Sequence, residues 1–260
     1  MSEANVDTQE CLPHIQQGPA GQPPIILLHG FGSDATTWNN IQLNLERQHH
    51  SLAFDLPGHG KALDWPRIGN AVVAAKAVNQ SLDALALERF HLVGHSLGGA
   101  VASLVAMRAP AKVASLTLLS PGGFGPEINA QLLRRYAAAT TPEEQAPLLE
   151  QFYGINYKLP RKLAEYIAEQ RCRPGAQEAL ATISSAFLEN DQQGVLPLPK
   201  LAELPCPISV VWGTQDRVLP PNQVDNAPGS MAKHIFEGVG HMLHLEIPQD
   251  ILRIIREAAR

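Results

Sequence analysis

The sequence has little that would tie it to nucleic acid, to a membrane or to a disulfide framework. Its 20 Lys and Arg residues are outnumbered by 25 Asp and Glu, giving a net charge of -5, and no basic block would neutralise phosphates. Cys11, Cys172 and Cys206 lie far apart without a CxxC pair, which favours a reducing compartment. No apolar run approaches a membrane span, and MSEANVDTQECLPHIQQG lacks the regions of a signal peptide. We therefore expect a cytoplasmic protein without nucleic-acid or membrane partners.

What the chain does have is an alternation of short apolar runs with amphipathic stretches. With 260 residues and 45% hydrophobic content, it is long enough to bury a sizeable core. Strands are expected at IILLH (25–29), SLAFDLP (from 51), FHLVGH (from 90), VASLTLLSP (from 113), ISVVWG (from 208) and AKHIFEGVGH (from 232). Helices are expected at 36–48, 68–87, 97–109 and 250–259. This order predicts an α/β fold with a mostly parallel central sheet flanked by helices.

The alternation stops between Ser120 and Leu204. Four amphipathic helical segments follow one another there, at about 126–139, 142–153, 160–171 and 176–189. We predict a helical cap, residues 122–195, inserted into a core made of residues 1–121 and 196–260. The proline-rich stretch VLPLPKLAELPCP, from Val195 to Pro207, is predicted to return to the sheet as a connector, because repeated prolines disfavour helix.

Ser96 is the centre of a G-x-S-x-G motif, GHSLG, between the strand FHLV and a helix that begins GGAVASLVAM. A sharp strand-to-helix turn would force this serine into a strained backbone geometry, and the flanking glycines would let the strand and helix approach closely. The turn would also expose the hydroxyl beside a helix N-terminus. We predict that Ser96 is a nucleophile; the alternative is an ordinary turn in which Ser96 caps the helix.

A serine nucleophile needs a base and a carboxylate that orients the base. Asp216 follows the strand ISVVW, and His241 follows the next strand beside Gly240, so both lie at the expected carboxyl edge of the sheet. The chain order Ser96, Asp216, His241 is the order of the hydrolase triad. His244 is the alternative base, and the alternative interpretation of Asp216 is a turn residue that caps the following segment.

The tetrahedral oxyanion would need two backbone N–H donors. Leu97 follows the nucleophile, and Phe31 lies in the loop HGFG, residues 29–32, after an earlier strand, so these two amides are the predicted donors. The alternative is that HGFG is a plain glycine-rich turn. His59, in DLPGHG, is interpreted as structural and near the rim of the site. No metal-ligand spacing or dinucleotide fingerprint occurs, so we expect no metal and no cofactor.

These motifs together carry a resemblance. HGFG, DLPGHG, GHSLGG, WGTQDRVLP and GVGHMLHLE resemble the α/β-hydrolase superfamily over the chain from about Ile25 onward. Within it, LTLLSPGGFGPEIN and the cap that follows are similar to the hydrolase-like domain of acetoin dehydrogenase E2 (dihydrolipoamide acetyltransferase) subunits. In those proteins a lipoyl domain comes first and carries the acyl group. Only about two dozen residues precede Ile25, so we expect no lipoyl domain here.

Three functions fit these residues. The leading hypothesis is hydrolysis of an ester, thioester or activated C–C bond of a small acyl substrate through an acyl-serine. The alternative passes the acyl group to a thiol such as dihydrolipoamide or coenzyme A. The third is a receptor that binds a small ligand without turnover. Ser96 argues against the dehalogenases and epoxide hydrolases of the superfamily, because their nucleophile is an aspartate. The oligomeric state stays open.

The cap carries the little that the sequence says about the substrate. Its aromatic residues are expected to form an apolar underside: Phe124, Tyr136, Phe152, Tyr153 and Phe187. Its cations fit either a solvated helical face interleaved with Glu165 and Glu169, or one arginine that reaches inward to bind a substrate carboxylate. These cations are Arg134, Arg135, Arg161, Lys162, Arg171 and Arg173.

Overall fold

A seven-stranded sheet runs through the computed structural model, which describes residues 11–260. Its strands are β1 (His14–Gln17), β2 (Ile25–Leu28), β3 (Ser51–Phe54), β4 (Phe90–His95), β5 (Val113–Leu119), β8 (Ile208–Gly213) and β9 (Ala232–Phe236). Their order is β1-β3-β2-β4-β5-β8-β9, and every neighbouring pair is parallel except β1 with β3. The predicted α/β fold class with a mostly parallel central sheet is therefore confirmed.

Helices flank the sheet, and those that lie between strands provide the crossovers that parallel neighbours require. They are α1 (Asn39–Leu45), α2 (Ala71–Ala84), α3 (Leu97–Arg108), α4 (Ala130–Ala138), α5 (Pro142–Leu149), α6 (Arg161–Arg171), α7 (Ala176–Phe187), α8 (Leu198–Ala202), α9 (Leu243–Glu246) and α10 (Pro248–Ala258). Short 3-10 helices occupy Ala35–Trp38, Gly60–Ala62 and Pro221–Asn226. The helix expected at 36–48 is thus divided into a 3-10 turn and α1.

The sheet is covered on both faces, as its continuous apolar strands require. All four residues of β2 are buried, and successive side chains point to opposite faces. Ile25 and Leu27 pack in one cluster with the apolar side of α10, whereas Ile26 and Leu28 belong to the cluster that contains α2 and α3. This two-sided core fixes β2 and β4 at the centre, where the turns that follow them meet.

Six of the seven strands lie where the sequence predicts them. The exception is β1, the edge strand HIQQ, whose polar residues gave no strand signal; it pairs with β3 through backbone groups. All four residues of β1 escape full burial, so no apolar alternation is imposed on them.

Between β5 and β8 the chain forms four consecutive helices, α4 to α7, and a two-residue hairpin of β6 (Leu188–Glu189) with β7 (Gln192–Gln193). The four predicted helices are confirmed, and the division into a core and a cap at residues 122 and 195 stays a prediction. The connector was predicted without helix, and that prediction is wrong over Leu198–Ala202. Pro199 lies in the first turn of α8, where its missing N–H has no helical acceptor to lose.

The three cysteines, all within the described residues, form no disulfide. Over residues 11–260, no helix combines the length and the apolar character needed to cross a bilayer.

Candidate active site

Ser96 occupies the turn between β4 and α3 in a strained backbone conformation, with φ 54° and ψ -118°. An L-residue rarely adopts a positive φ, so the surrounding structure must impose it. The glycines on either side of Ser96 show how tightly the strand and the helix are held together at this turn. A Cβ at Gly94 would lie 2.3 Å from the Gly98 carbonyl oxygen, and a Cβ at Gly98 would lie 2.3 Å from the Leu28 carbonyl oxygen. The close strand-to-helix turn inferred from the motif is therefore present.

Asp216 and His241 form a buried pair at the ends of β8 and β9. His241 Nδ1 lies 2.8 Å from Asp216 Oδ2, and neither side chain is more than 2% exposed. The other carboxylate oxygen, Oδ1, accepts hydrogen bonds from the N–H groups of Val218 and Leu219, each at 2.9 Å. Asp216 therefore caps its turn and also orients His241, so its two interpretations are compatible. A proton on Nδ1 leaves Nε2 of His241 as a free acceptor.

The loop that carries His241 is held by Glu246, which the sequence did not single out, and by a backbone contact with the segment after α5. The Glu246 carboxylate accepts hydrogen bonds from the N–H groups of Gly240, Met242 and Gly154 at 2.8 to 3.2 Å. The His241 N–H donates to the Phe152 carbonyl oxygen at 2.7 Å. Two of these contacts, from the Gly154 N–H to Glu246 and from the His241 N–H to Phe152, join the loop to the segment after α5. They link residues about 90 positions apart, and no local pattern marks them.

His95 links the serine turn to the histidine loop. Its Nε2 lies 2.9 Å from the His241 carbonyl oxygen, and its ring packs against the His241 ring at a tilt of 54°, with a centroid distance of 4.7 Å. Burial, followed by the nearby His241 and His244, lowers the pKa of His95 well below its usual range. A neutral His95 with its proton on Nε2 donates to that carbonyl and thereby fixes the distance between the two turns.

Ser96 and His241 line the same cavity, of about 410 Å³. Within residues 11–260, no hydrogen bond joins the Ser96 hydroxyl to the His241 ring; catalytic hydrogen bonds of this kind often tighten only when substrate binds. The three residues predicted to form the triad are therefore brought to one site, with the Asp216–His241 contact formed.

The predicted oxyanion donors lie at the same place. Among the described residues, neither the Phe31 N–H nor the Leu97 N–H has a hydrogen-bond acceptor. The next residue, Gly32, is fixed from both sides. Its N–H donates to His59 Nε2 at 3.0 Å, and its carbonyl oxygen accepts from Arg171 Nη2 at 2.8 Å. HGFG is thus more than a plain turn, because side chains from other elements hold both the N–H and the carbonyl group of Gly32.

Two cavities meet at the serine. The first, which we call the histidine-side cavity, lies under α4 to α7 and includes His241, Tyr136 and Arg171. The second, of about 540 Å³, is called the elbow-side cavity and runs past Leu97 and Ala100 toward Val195. Both are bordered by Phe31, Ser96 and Leu133. A molecule bound at Ser96 would therefore have room on two sides.

His244, the alternative base, lies outside this arrangement. His244 is fully buried behind His95, with Nε2 2.8 Å from Thr37 Oγ1, and burial lowers its pKa to about 3. It therefore lacks the carboxylate partner that His241 has. His59 lines the histidine-side cavity, and burial and the nearby His29 lower its pKa well below the usual range. Over the described part of the chain, no cluster of three or more His, Cys, Asp or Glu side chains is arranged to hold a metal ion.

A strained serine between glycines, a buried Asp–His pair and two free N–H groups can carry out acyl transfer through a covalent serine ester. The same combination of motifs defines a known family: the profile described as the alpha/beta hydrolase family matches residues 25–254. The chain belongs to the α/β-hydrolase family. The fold expected from the resemblance is thereby confirmed.

Individual relatives in the α/β-hydrolase family are also similar. Two of them are the dihydrolipoyllysine-residue acetyltransferase components of acetoin cleaving systems. The protein from Cupriavidus necator is 30% identical and the one from Pseudomonas putida 32% identical, each over 91% of this chain. The chain spans 63% of the length of each. A solved meta-cleavage product hydrolase from Pseudomonas fluorescens is similar in fold, with a TM-score of 0.83, 23% identity and coverage of 94% of this chain and 92% of its own. The predicted similarity to acetoin E2 subunits is confirmed.

Proposed function

We propose that this α/β hydrolase cleaves a small acyl substrate, an ester, a thioester or an activated C–C bond, through an acyl-serine intermediate on Ser96. The observation that carries the proposal is the convergence of the strained Ser96 turn and the buried Asp216–His241 pair on one cavity. A serine that merely capped α3 would need neither. Its side chain in fact makes no capping hydrogen bond to that helix.

The chemistry follows from the protonation of His241. Its Nδ1–H donates to Asp216, so Nε2 takes the proton of the Ser96 hydroxyl while the serine oxygen attacks the substrate carbonyl carbon. The carbonyl oxygen becomes negative and accepts hydrogen bonds from the N–H groups of Phe31 and Leu97. His241 then returns its proton to the leaving group as the scissile bond breaks. Water, deprotonated by the same Nε2, releases the acid and restores Ser96.

The two cavities give the substrate an orientation. The leaving group receives its proton from His241, so it belongs on the side of the serine where His241 lies, in the histidine-side cavity. The acyl group that stays on Ser96 then extends into the elbow-side cavity, past Leu97 and Ala100. That cavity is bordered mainly by apolar side chains, which suit an apolar acyl chain.

A fluorophosphonate probe and a panel of phenyl esters test the proposal. We expect the probe to label Ser96, and Ser96→Ala to lose both labelling and turnover. Ser185→Ala is the matched control, because Ser185 lines the elbow-side cavity without a base beside it, and this variant should keep both. Turnover by Ser96→Ala at the wild-type rate would refute the mechanism. A pure ligand receptor would give no turnover even in the wild-type protein.

Which group accepts the acyl group from Ser96, water or a thiol, is a separate question. Transfer to a thiol such as dihydrolipoamide is the second candidate, supported by the similarity to the two acetyltransferase components. The chemistry up to the acyl-serine is the same, and only the group that attacks it differs. Wild-type protein given a phenyl ester and dihydrolipoamide would form the thioester if transfer occurs. Release of free acid alone, at every thiol concentration, would leave hydrolysis as the reaction.

A further inference from the structure

Arg171 is a buried cation in the wall of the histidine-side cavity. It is the last residue of α6, the residue is only 6% exposed, and it borders the cavity that contains Ser96 and His241. Arg is rarely buried to this degree unless it is paired, because removing its charge from water is costly. The other described cap cations behave differently: Arg134, Arg135 and Lys162 are exposed, and Arg134 pairs with Asp191.

The contacts of Arg171 leave its charge uncompensated. Nη2 donates to the Gly32 carbonyl oxygen at 2.8 Å, and the guanidinium lies over the Tyr136 ring, 4.8 Å from its centroid. Nε is buried and has no hydrogen-bond partner within the described residues. No carboxylate of residues 11–260 comes within 4.0 Å of its nitrogens. A buried guanidinium with a free donor favours a negatively charged partner.

The charges of the other residues that line the cavity are compatible with a negatively charged ligand. Its other ionisable side chains besides the histidines are Asp34, Tyr136, Tyr153, Tyr166 and Arg173. Asp34 is the one carboxylate among the described lining residues, and it is already bonded, accepting from the N–H and hydroxyl of Thr36 and from the Tyr166 hydroxyl. Arg173 is exposed and donates to the Gly60 carbonyl oxygen, so it adds positive charge at the rim. The described lining residues of this cavity therefore include two cations, Arg171 and Arg173, and one carboxylate, Asp34.

We propose that Arg171 binds a carboxylate on the leaving-group half of the substrate. The inference rests on the proposed function, because the leaving group is assigned to the histidine-side cavity by its need for the His241 proton. The guanidinium already holds the Gly32 carbonyl with Nη2, and its remaining N–H groups present the donors that a carboxylate accepts. The substrate class is thus an ester or ketone whose departing half is acidic.

Matched aryl esters test this directly. The probes are 4-carboxyphenyl acetate and 4-carbamoylphenyl acetate, which place a carboxylate or a neutral amide of similar shape on the leaving group. Arg171→Gln should lower kcat/KM for the carboxylate ester roughly 10- to 100-fold more than for the amide ester, the value of a hydrogen-bonded charge pair. A loss common to both esters would measure the bond of Arg171 to the Gly32 carbonyl oxygen. Arg134→Gln, which removes an exposed cap cation, is the control and should change neither.

Two other outcomes would overturn the proposal. An equal loss on both esters would mean that Arg171 only positions the Gly32 loop. A larger loss on phenyl hemisuccinate, whose carboxylate is on the acyl side, would place the anion in the wrong half of the substrate.

Binding to Ser96→Ala keeps the test independent of turnover. Calorimetry with 4-hydroxybenzoate and 4-hydroxybenzamide should show at least about 10-fold tighter binding of the acid. That preference should disappear when Arg171→Gln is added, and thermal unfolding would verify that both variants are folded. Equal binding of acid and amide to Ser96→Ala would refute the carboxylate site. Persistent esterase activity of Ser96→Ala would instead refute the proposed function.

Discussion

Replacing Asp216 by asparagine separates its two structural tasks. The two backbone hydrogen bonds, from the N–H groups of Val218 and Leu219, go to Oδ1, whereas His241 Nδ1 contacts Oδ2. The side-chain oxygen of the asparagine variant can keep both backbone bonds, which turns its NH₂ group toward His241. Two donors then face each other, so the imidazole moves its proton to Nε2. That nitrogen can no longer accept the proton of Ser96.

Asp216→Asn is expected to lower kcat strongly and to change the free energy of unfolding only slightly. The same replacement in a serine-protease triad lowers kcat about 10⁴-fold, equivalent to roughly 5.5 kcal/mol of activation free energy. Since both backbone bonds survive, the free energy of unfolding should change by less than about 1 kcal/mol. Asp216→Ala leaves two buried N–H groups without acceptors, at about 1 to 3 kcal/mol each, and should lose about 2 to 6 kcal/mol of stability.

Initial rates on 4-nitrophenyl acetate, with Ser96→Ala as the blank, measure the first effect, and urea unfolding measures the second. The Asn variant should be inactive and stable, and the Ala variant inactive and destabilised. If the Asn variant kept more than about a tenth of the wild-type kcat, the orienting role assigned to the carboxylate would be wrong. Equal stability of the two variants would show that the turn does not depend on Oδ1.

Two further predictions concern stability. Gly98→Ala should lower the free energy of unfolding by about 3 kcal/mol in urea titrations, because the added Cβ would lie 2.3 Å from the Leu28 carbonyl oxygen. Gly229→Ala is the control: its Cβ would have no atom within 4 Å, so the free energy of unfolding should change by less than about 0.5 kcal/mol. The pKa of His244 is about 3 when folded and 6.5 as an ordinary histidine, so the unfolded chain binds the extra proton as pH falls below 6.5. Wild-type protein should therefore lose about 2 kcal/mol more between pH 7 and pH 5 than His244→Gln, and parallel pH profiles would contradict this assignment.

The central strands and the serine turn could be predicted from local sequence because local forces determine them. The run IILL is apolar at every position, which only a strand covered on both faces satisfies, and β2 is buried throughout. GHSLG indicates a close strand-to-helix turn, because only residues without a Cβ fit at Gly94 and Gly98. By contrast, β1 has polar residues and pairs through its backbone, so no side-chain pattern could reveal it.

The helix in the proline-rich connector was missed for a different reason. Proline is unfavourable inside a helix but acceptable in its first turn, and only the start of α8 decides which case applies to Pro199.

By itself, the sequence determined the elements of the site and their order: a nucleophile candidate between glycines, an acid and a base after later strands, and an amide donor loop. Parallel strands bring their carboxyl ends to one edge, so these residues could be expected to meet. The tertiary structure alone decided which groups hold them there and what charge faces them. His95 on the His241 carbonyl, Glu246 on the Gly154 N–H and Arg171 on the Gly32 carbonyl are long-range contacts. Their partners are backbone atoms, which every residue has, and so the sequence carries no mark of them.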